Sequence, residues 1–180
     1  QWALEKRLTI LGSSDIHGPT NLYYDFEHGD HRPITLVFAK QRAPAAIKKA
    51  LFAGRTAAYA DRRLTGAEKY LRPIFENSVE IINPAITLVG TKNTYVRIRN
   101  HSSIPYELEA VQMNEHLTYT TQLTIHPERT VLLRVRSTSE EWSGGRSQKL
   151  PFVVTNLLTG PEQRLRVEFE LRIEHVPASN

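Results

Sequence analysis

An aspartate and a histidine two residues apart follow an apolar run near the start of the chain. The run is Leu8–Gly12, and Asp15 and His17 come within the next five residues. Side chains at positions i and i+2 of an extended chain point the same way, so both can face one site where the strand ends. A carboxylate beside an imidazole is a plausible pair of metal ligands. The alternative is an aspartate that caps the loop beside a surface histidine, because Asp-x-His also occurs by chance.

A second group of polar side chains lies in the segment that follows, which is rich in Gly, Pro, Asn, Asp and His and is predicted to be a long loop. His31 and Arg32 end this loop and lead directly into the next apolar run. That position returns them to the sheet edge where the first pair lies. Such groups are potential metal ligands or phosphate contacts, and we interpret His31 and Arg32 as substrate-binding residues, with His31 as a possible third metal ligand if the loop folds back. His28 and Asp30 are interpreted as solvated loop residues.

Strands and helices are expected to alternate around these residues. The short apolar runs typical of buried parallel strands are Leu8–Gly12, Ile34–Ala39 and Thr56–Ala60. One helix is expected between Pro44 and Gly54, and a second after the capping box Thr65–Glu68. Residues 1–7 are interpreted as the end of a helix. Alternating strands and helices are typical of an α/β domain, which we place at residues 1–77.

Beyond residue 77 the apolar pattern changes to a period of two. Leu165–Glu174 alternates without a fault, which predicts a half-buried antiparallel strand. Shorter runs of the same kind are Val79–Ile82, Ile86–Val89, Val96–Ile98, Tyr106–Ala110, Thr121–Ile125, Val131–Val135 and Phe152–Val154. Seven or eight such strands predict an immunoglobulin-like β-sandwich over residues 78–180.

Composition excludes several classes of site and partner. The 180 residues contain no cysteine, which excludes disulfides, thiolate metal sites and cysteine nucleophiles. Twenty-three Lys and Arg against 19 Asp and Glu give a net charge of +4, and no basic run forms a patch for nucleic acid. No apolar stretch approaches the ~20 residues of a membrane span. Because the chain begins at Gln1, we expect either a removed signal peptide or a fragment of something longer.

Residues 1–75 resemble the C-terminal end of a PHP domain, the polymerase and histidinol phosphatase family of metal-dependent phosphoesterases. The resemblance is carried by ALEKRLTILGSSDIHG, then by HRPITLVFAKQRAPAAIKKALFAGRTAAY, then by the capped helix. The last metal motif of that family is an Asp-x-His at the end of a late barrel strand. Some bacterial members append an Ig-like sandwich, which would match residues 78–180.

The resemblance implies a (β/α) barrel whose strand ends hold two or three ions of Mn, Zn or Fe. Asp15 and His17 would be the final two ligands, and the metals would act on a phosphate ester. The family's early motifs, His-x-His and the bridging Glu, are absent from this chain. Metal binding by the chain alone is therefore expected to be weak or absent.

The sequence thus predicts a two-part α+β chain, the C-terminal fragment of a PHP-type barrel followed by an Ig-like antiparallel sandwich. The predicted function is that of the C-terminal portion of a metal-dependent phosphoesterase, inactive by itself. The alternative is a non-catalytic binding or scaffolding module built on the sandwich. Open sheet edges allow a homo-oligomer, and the appended sandwich suggests a periplasmic or secreted protein.

Overall fold

The structure, a computed structural model, describes Lys6 and residues 8–28, 30–112, 114–142 and 144–178. The chain divides into two compact units, one formed by residues 1–74 with 156–165 and the other by residues 75–155 with 166–180. The helix end predicted for residues 1–7 lies outside the described residues, apart from Lys6. No helix in the described ranges is long and apolar enough to cross a bilayer.

The first unit is a small sheet with helices. Its elements are two 3₁₀ turns (Thr20–Leu22 and Phe26–His28), β1 (Ile34–Val37), α1 (Pro44–Phe52), β2 (Thr56–Ala60), β3 (Arg63–Gly66) and the start of α2 (Glu68–Ser78). α1 begins at Pro44, whose fixed φ suits the first helical position, and ends before Gly54, which has a φ of +63°. Both predicted helices are therefore present.

β1 and β2 pair in antiparallel fashion although a helix connects them. Ile34 lies opposite Tyr59 and Val37 opposite Thr56, and the Phe38 amide extends the ladder by donating to the Arg55 carbonyl at 2.9 Å. α1 thus lies inside the connection of a hairpin. It does not act as the crossover that parallel strands require.

A tight turn at Asp61 and Arg62 joins β2 to β3. Both turn residues have positive φ, +48° and +61°, which is the backbone of a type I′ hairpin. β3 also pairs in parallel with β11 (Ser147–Gly160), where Leu64 lies opposite Leu157. The core of this unit is made by the buried side chains of Ala50, Ala57, Tyr59, Leu64, Leu71, Leu157 and Leu165.

The predicted fold class is wrong in its first part. A PHP-type (β/α) barrel needs parallel strands joined by crossover helices, whereas β1, β2 and β3 form an antiparallel ladder. The described residues contain two α-helices, and strands dominate the rest of the ordered structure. The chain is therefore not the α+β protein with a barrel fragment that the sequence predicted.

The second unit is a β-sandwich. Its further strands are β4 (Val79–Ile81), β5 (Ala85–Val89), β6 (Thr94–Asn100), β7 (Tyr106–Ala110), β8 (Leu117–Tyr119), β9 (Gln122–Ile125), β10 (Thr130–Ser137) and β12 (Gln163–Val176). One sheet has the order β9-β7-β11-β12-β5, and the other has the order β4-β6-β10-β8. The alternation that predicted the Ig-like sandwich is confirmed, with Val167, Phe169, Leu171 and Ile173 all buried.

Aromatic rings fill the centre of this sandwich. The ring of Phe152 lies 5.4 Å from that of Phe169 and 5.6 Å from that of Tyr119. Phe75, at the end of α2, meets the edge of the Tyr106 ring at 5.0 Å. Contacts of this kind add about 0.5–1.5 kcal/mol each to the stabilisation from burial.

Candidate functional site

The segment that carries Asp15 and His17 is not the strand predicted from its apolar pattern. Leu8–Gly12 forms no strand and is held by threonine side chains. Thr9 Oγ1 donates to the Leu51 carbonyl at 2.7 Å, and Thr56 Oγ1 donates to the Ile10 carbonyl at 2.7 Å. The segment therefore crosses the β1–β2 hairpin without joining its ladder.

At Gly12 the backbone of this segment lies directly against β1 and β2. Its amide donates to Thr35 Oγ1 at 2.9 Å, and Thr35 Oγ1 donates back to the Gly12 carbonyl at 3.1 Å. A Cβ at this position would lie 2.8 Å from the Ile34 carbonyl oxygen and 3.3 Å from the Ala58 Cβ. The lack of a side chain at Gly12 thus lets the backbone lie against the sheet, three residues before Asp15.

Asp15 and His17 are both exposed to solvent, and the residue between them, Ile16, is half-buried. Asp15 has a φ of +50°, a left-handed conformation that aspartate tolerates better than most residues. The metal-ligand prediction assumed an extended chain through the motif, but the chain is not extended at Asp15. The metal-ligand role of this pair stays a prediction.

His31 is fixed from two sides. Its ring stacks on that of Tyr59 with centroids 4.1 Å apart and planes at 17°. Its Nδ1 lies 3.0 Å from the Arg32 carbonyl oxygen. A carbonyl can only accept, so Nδ1 carries a proton, and a neutral ring in this tautomer has its lone pair at Nε2. Metal-binding histidines are commonly oriented in this way.

Two arginines of the first unit are candidates for anion contacts. Arg32 is exposed, beside His31. Arg55 follows α1, and its Nε is buried without a hydrogen-bond partner among the described residues. An unsatisfied buried donor costs about 1–3 kcal/mol. Arg55 lies three residues after α1, where a helix end favours a cation, and burial of its Nε could not be read from the sequence.

A complete metal centre is not formed within the described part of the chain. No three His, Asp or Glu side chains there come together in a way that could hold an ion. Asp30 is engaged with its own loop, since its carboxylate accepts from the Asp25 amide at 3.3 Å. Asp15 and His17 have the right donor chemistry for Zn, Mn or Fe but supply two ligands where a centre needs more.

One solved structure is similar to nearly the whole chain. It is a two-domain protein from Bacteroides vulgatus that contains a predicted PHP-like metal-dependent phosphoesterase, with a TM-score of 0.83 and 34% sequence identity. The similarity covers 95% of this chain and 48% of that one, so the chain spans about half the length of that protein.

Other similarities are weaker. The Caenorhabditis elegans MSP family member WR4 has a TM-score of 0.40 and 10% identity, covering 55% of this chain and 98% of that one. The Escherichia coli chaperone DraB has a TM-score of 0.39 and 12% identity, covering 56% and 55%. Neither likeness is close enough to bear on function. No curated protein matches the chain.

A family match covers the sandwich. Residues 79–170 match DUF5001, a family described as an Ig-like domain. This range runs from β4 into β12 and agrees with the two packed sheets of the second unit. The chain belongs to the DUF5001 family of Ig-like domains.

Proposed function

We propose that the chain is the C-terminal portion of a metal-dependent phosphoesterase that hydrolyses a phosphate ester and is inactive without the rest of that protein. The similarity to the Bacteroides vulgatus protein supports this most strongly, because it extends over 95% of the chain at 34% identity. A likeness confined to the sandwich would have left residues 1–74 unexplained.

In this proposal Asp15 and His17 are two ligands of a di- or trinuclear site, and the other ligands lie outside these 180 residues. Divalent ions of this class generate hydroxide at neutral pH and neutralise the charge that develops on a phosphoryl group. Both side chains are exposed, so a further part of the protein can reach them. The His31 ring, fixed against Tyr59, would offer the Nε2 lone pair to a hydrogen of a bound water.

The two arginines would act on the ester itself. A guanidinium presents a planar fork of donors that matches two phosphate oxygens. Arg32 is next to His31 in the chain, and Arg55 has an unmet donor at Nε. We assign Arg32 to substrate binding and treat Arg55 as a second candidate.

The surface of the first unit supports a larger assembly. The four most exposed large apolar side chains among the described residues are those of Phe52, Leu22, Tyr23 and Leu11, at 82%, 74%, 63% and 62%. All four lie within a stretch of 42 residues that also holds Asp15, His17 and His31. In this proposal the rest of the longer protein covers these side chains.

The test uses the longer protein and matched substitutions. Asp15→Asn keeps size and tolerance of positive φ but weakens metal ligation. Asp61→Asn is its control, because Asp61 is also exposed and has a φ of +48°. His17→Gln is compared with His126→Gln, at another exposed histidine. Metal content is measured by mass spectrometry, and activity by hydrolysis of p-nitrophenyl phosphate.

We expect Asp15→Asn and His17→Gln to remove most of the bound metal and to lower hydrolysis by about 10²-fold or more, with both controls unchanged. Full activity and metal content in Asp15→Asn would show that this motif is not part of the metal site. A long protein with neither metal nor hydrolysis would favour the alternative, a non-catalytic binding module. Residues 79–170, which define the family, contain neither Asp15 nor His17.

A further inference from the structure

Four arginines lie on the outer face of the β4-β6-β10-β8 sheet. Along β6 and β10 burial alternates, with Val96, Ile98, Leu133 and Val135 facing inward. Arg97 and Arg99 of β6, with Arg134 and Arg136 of β10, therefore face outward. We call these four residues the arginine ladder.

The register of the two strands spaces the ladder evenly. Arg99 lies opposite Thr130, Arg97 opposite Leu132, and Arg134 opposite Tyr95; Arg136 comes two residues further along β10. Measured along the strand axis, the order is Arg99, Arg97, Arg134, Arg136, with one arginine at every second residue level. A strand rises about 3.3–3.4 Å per residue, so successive arginines are about 6.7 Å apart along this axis, and the ladder spans about 20 Å. Between Arg97 and Arg134 the ladder also steps sideways by about 4.8 Å, from β6 to β10.

Few acidic groups neutralise this face. Glu128 lies 3.9 Å from Arg99, and Glu80 is engaged by His101 at 2.8 Å. Within the described residues, no ion pair or side-chain hydrogen bond is formed by the guanidinium groups of Arg97, Arg134 and Arg136.

The outer face of the other sheet is different. The outward row of β12 mixes three arginines with three glutamates, and two of the glutamates, Glu168 and Glu170, have partners on β11. Lys149 donates to Glu168 at 2.9 Å, which raises the pKa of Lys149, and Ser147 Oγ donates to Glu170 at 2.6 Å. The outward rows of β6 and β10, in contrast, hold four arginines and no acidic residue.

We propose that the arginine ladder binds an extended acidic segment of another polypeptide, with a carboxylate at every second residue. Such a segment has the same repeat as the ladder, about 6.7 Å, so each carboxylate meets one guanidinium fork. Tyr95 and Leu132 lie among the arginines and are 49% and 55% exposed. They offer apolar contact to the residues between the carboxylates. Tyrosine and arginine are also the residues most enriched at protein interfaces.

Other polyanions fit less well. Single-stranded nucleic acid is bound on several stacked aromatic rings, and the outward row of these strands holds one ring, that of Tyr95. An anionic bilayer gains about 1 kcal/mol for each basic residue near its surface, which gives weak attachment for four arginines.

The test measures binding of two labelled octapeptides to the whole chain by fluorescence anisotropy at low salt. One peptide is (Glu-Thr)₄, and the other has the same composition with its four glutamates contiguous. Arg97→Gln/Arg134→Gln removes two charges from the ladder. Arg146→Gln/Arg172→Gln removes two exposed charges elsewhere in the same unit and is the control. All four positions face solvent, and circular dichroism checks that both variants are folded.

We expect the alternating peptide to bind at least about fivefold tighter than the contiguous one, and the ladder variant to bind it about tenfold more weakly. The control should change affinity by less than about twofold. Equal binding of the two peptides, or equal loss in both variants, overturns the proposal. The proposal is also overturned if the ladder binds octathymidylate more tightly than the alternating peptide. Tighter binding of phosphatidylcholine vesicles with 30% phosphatidylglycerol would overturn it in the same way.

Discussion

Replacing Asn100 with alanine should destabilise the sandwich by about 3 kcal/mol. Asn100 is fully buried at the end of β6, and its Nδ2 donates to the carbonyls of Ile104 at 2.8 Å and Ile125 at 3.3 Å. Its Oδ1 accepts from the Ser102 amide and hydroxyl, both at 2.9 Å. The hydroxyl also lies 3.3 Å from the Ile104 carbonyl and keeps a partner, so three bonds of about 1 kcal/mol each are lost.

Asn83 provides the matched control. Its Nδ2 donates to the Tyr95 carbonyl at 3.1 Å and its Oδ1 accepts from the Arg97 amide at 2.6 Å, but both bonds are exposed. Water can replace them, so Asn83→Ala should cost less than about 1 kcal/mol. Urea denaturation followed by circular dichroism gives both values, and Asn100→Ala should lower Tm by about 6–12 °C. Equal destabilisation by the two variants would refute the claim that burial sets the cost.

Two further predictions concern the first unit and the domain boundary. Gly12→Ala should loosen the segment that carries Asp15, because the new Cβ would lie 2.8 Å from the Ile34 carbonyl oxygen. Hydrogen exchange at residues 8–12 should therefore become faster. Gly145→Ala is the control and should leave this exchange unchanged, because the nearest atoms to its new Cβ are 3.9 Å away. Residues 78–180 expressed alone should melt cooperatively, because their alternating strands supply two apolar sheet faces; the spectrum of an unordered chain would contradict that boundary.

The sandwich was predictable because the alternation of apolar and polar side chains within a strand shows which face of that strand is buried. In Leu165–Glu174 every second side chain is apolar, and a period of two specifies a half-buried strand without knowledge of its neighbours. β8, in which Leu117 and Tyr119 are buried and Thr118 lies between them, was missed. The arginine ladder was also missed: its residues alternate with core residues on two strands more than thirty positions apart, and only the register combines them.

The first unit was harder to predict because a short apolar run does not indicate whether its strand pairs in parallel or antiparallel fashion. Ile34–Val37 and Thr56–Ala60 were correctly identified as strands, but an antiparallel pair with a helix in its connection has the same local pattern as a βαβ unit. The Asp61–Arg62 turn lacks the glycine that commonly marks a type I′ hairpin, so β3 was not predicted. Asp15 and His17 were proposed as ligands from their spacing, which stays a prediction, while fixation of His31 by Tyr59 depends on a contact across 28 residues.

The first unit is closed by a piece of chain that the ribosome makes late. Leu64 of β3 lies opposite Leu157 of β11. Residues 156–165 belong to this unit although residues 75–155 come between them and the rest of it in the chain. At about 5–20 residues per second, synthesis of those intervening residues takes roughly 4–16 s. During that interval Ala57, Leu64 and Leu71, all fully buried in the finished protein, have no strand from β11 beside them. The first unit therefore cannot complete its core until residues 156–165 have left the ribosome.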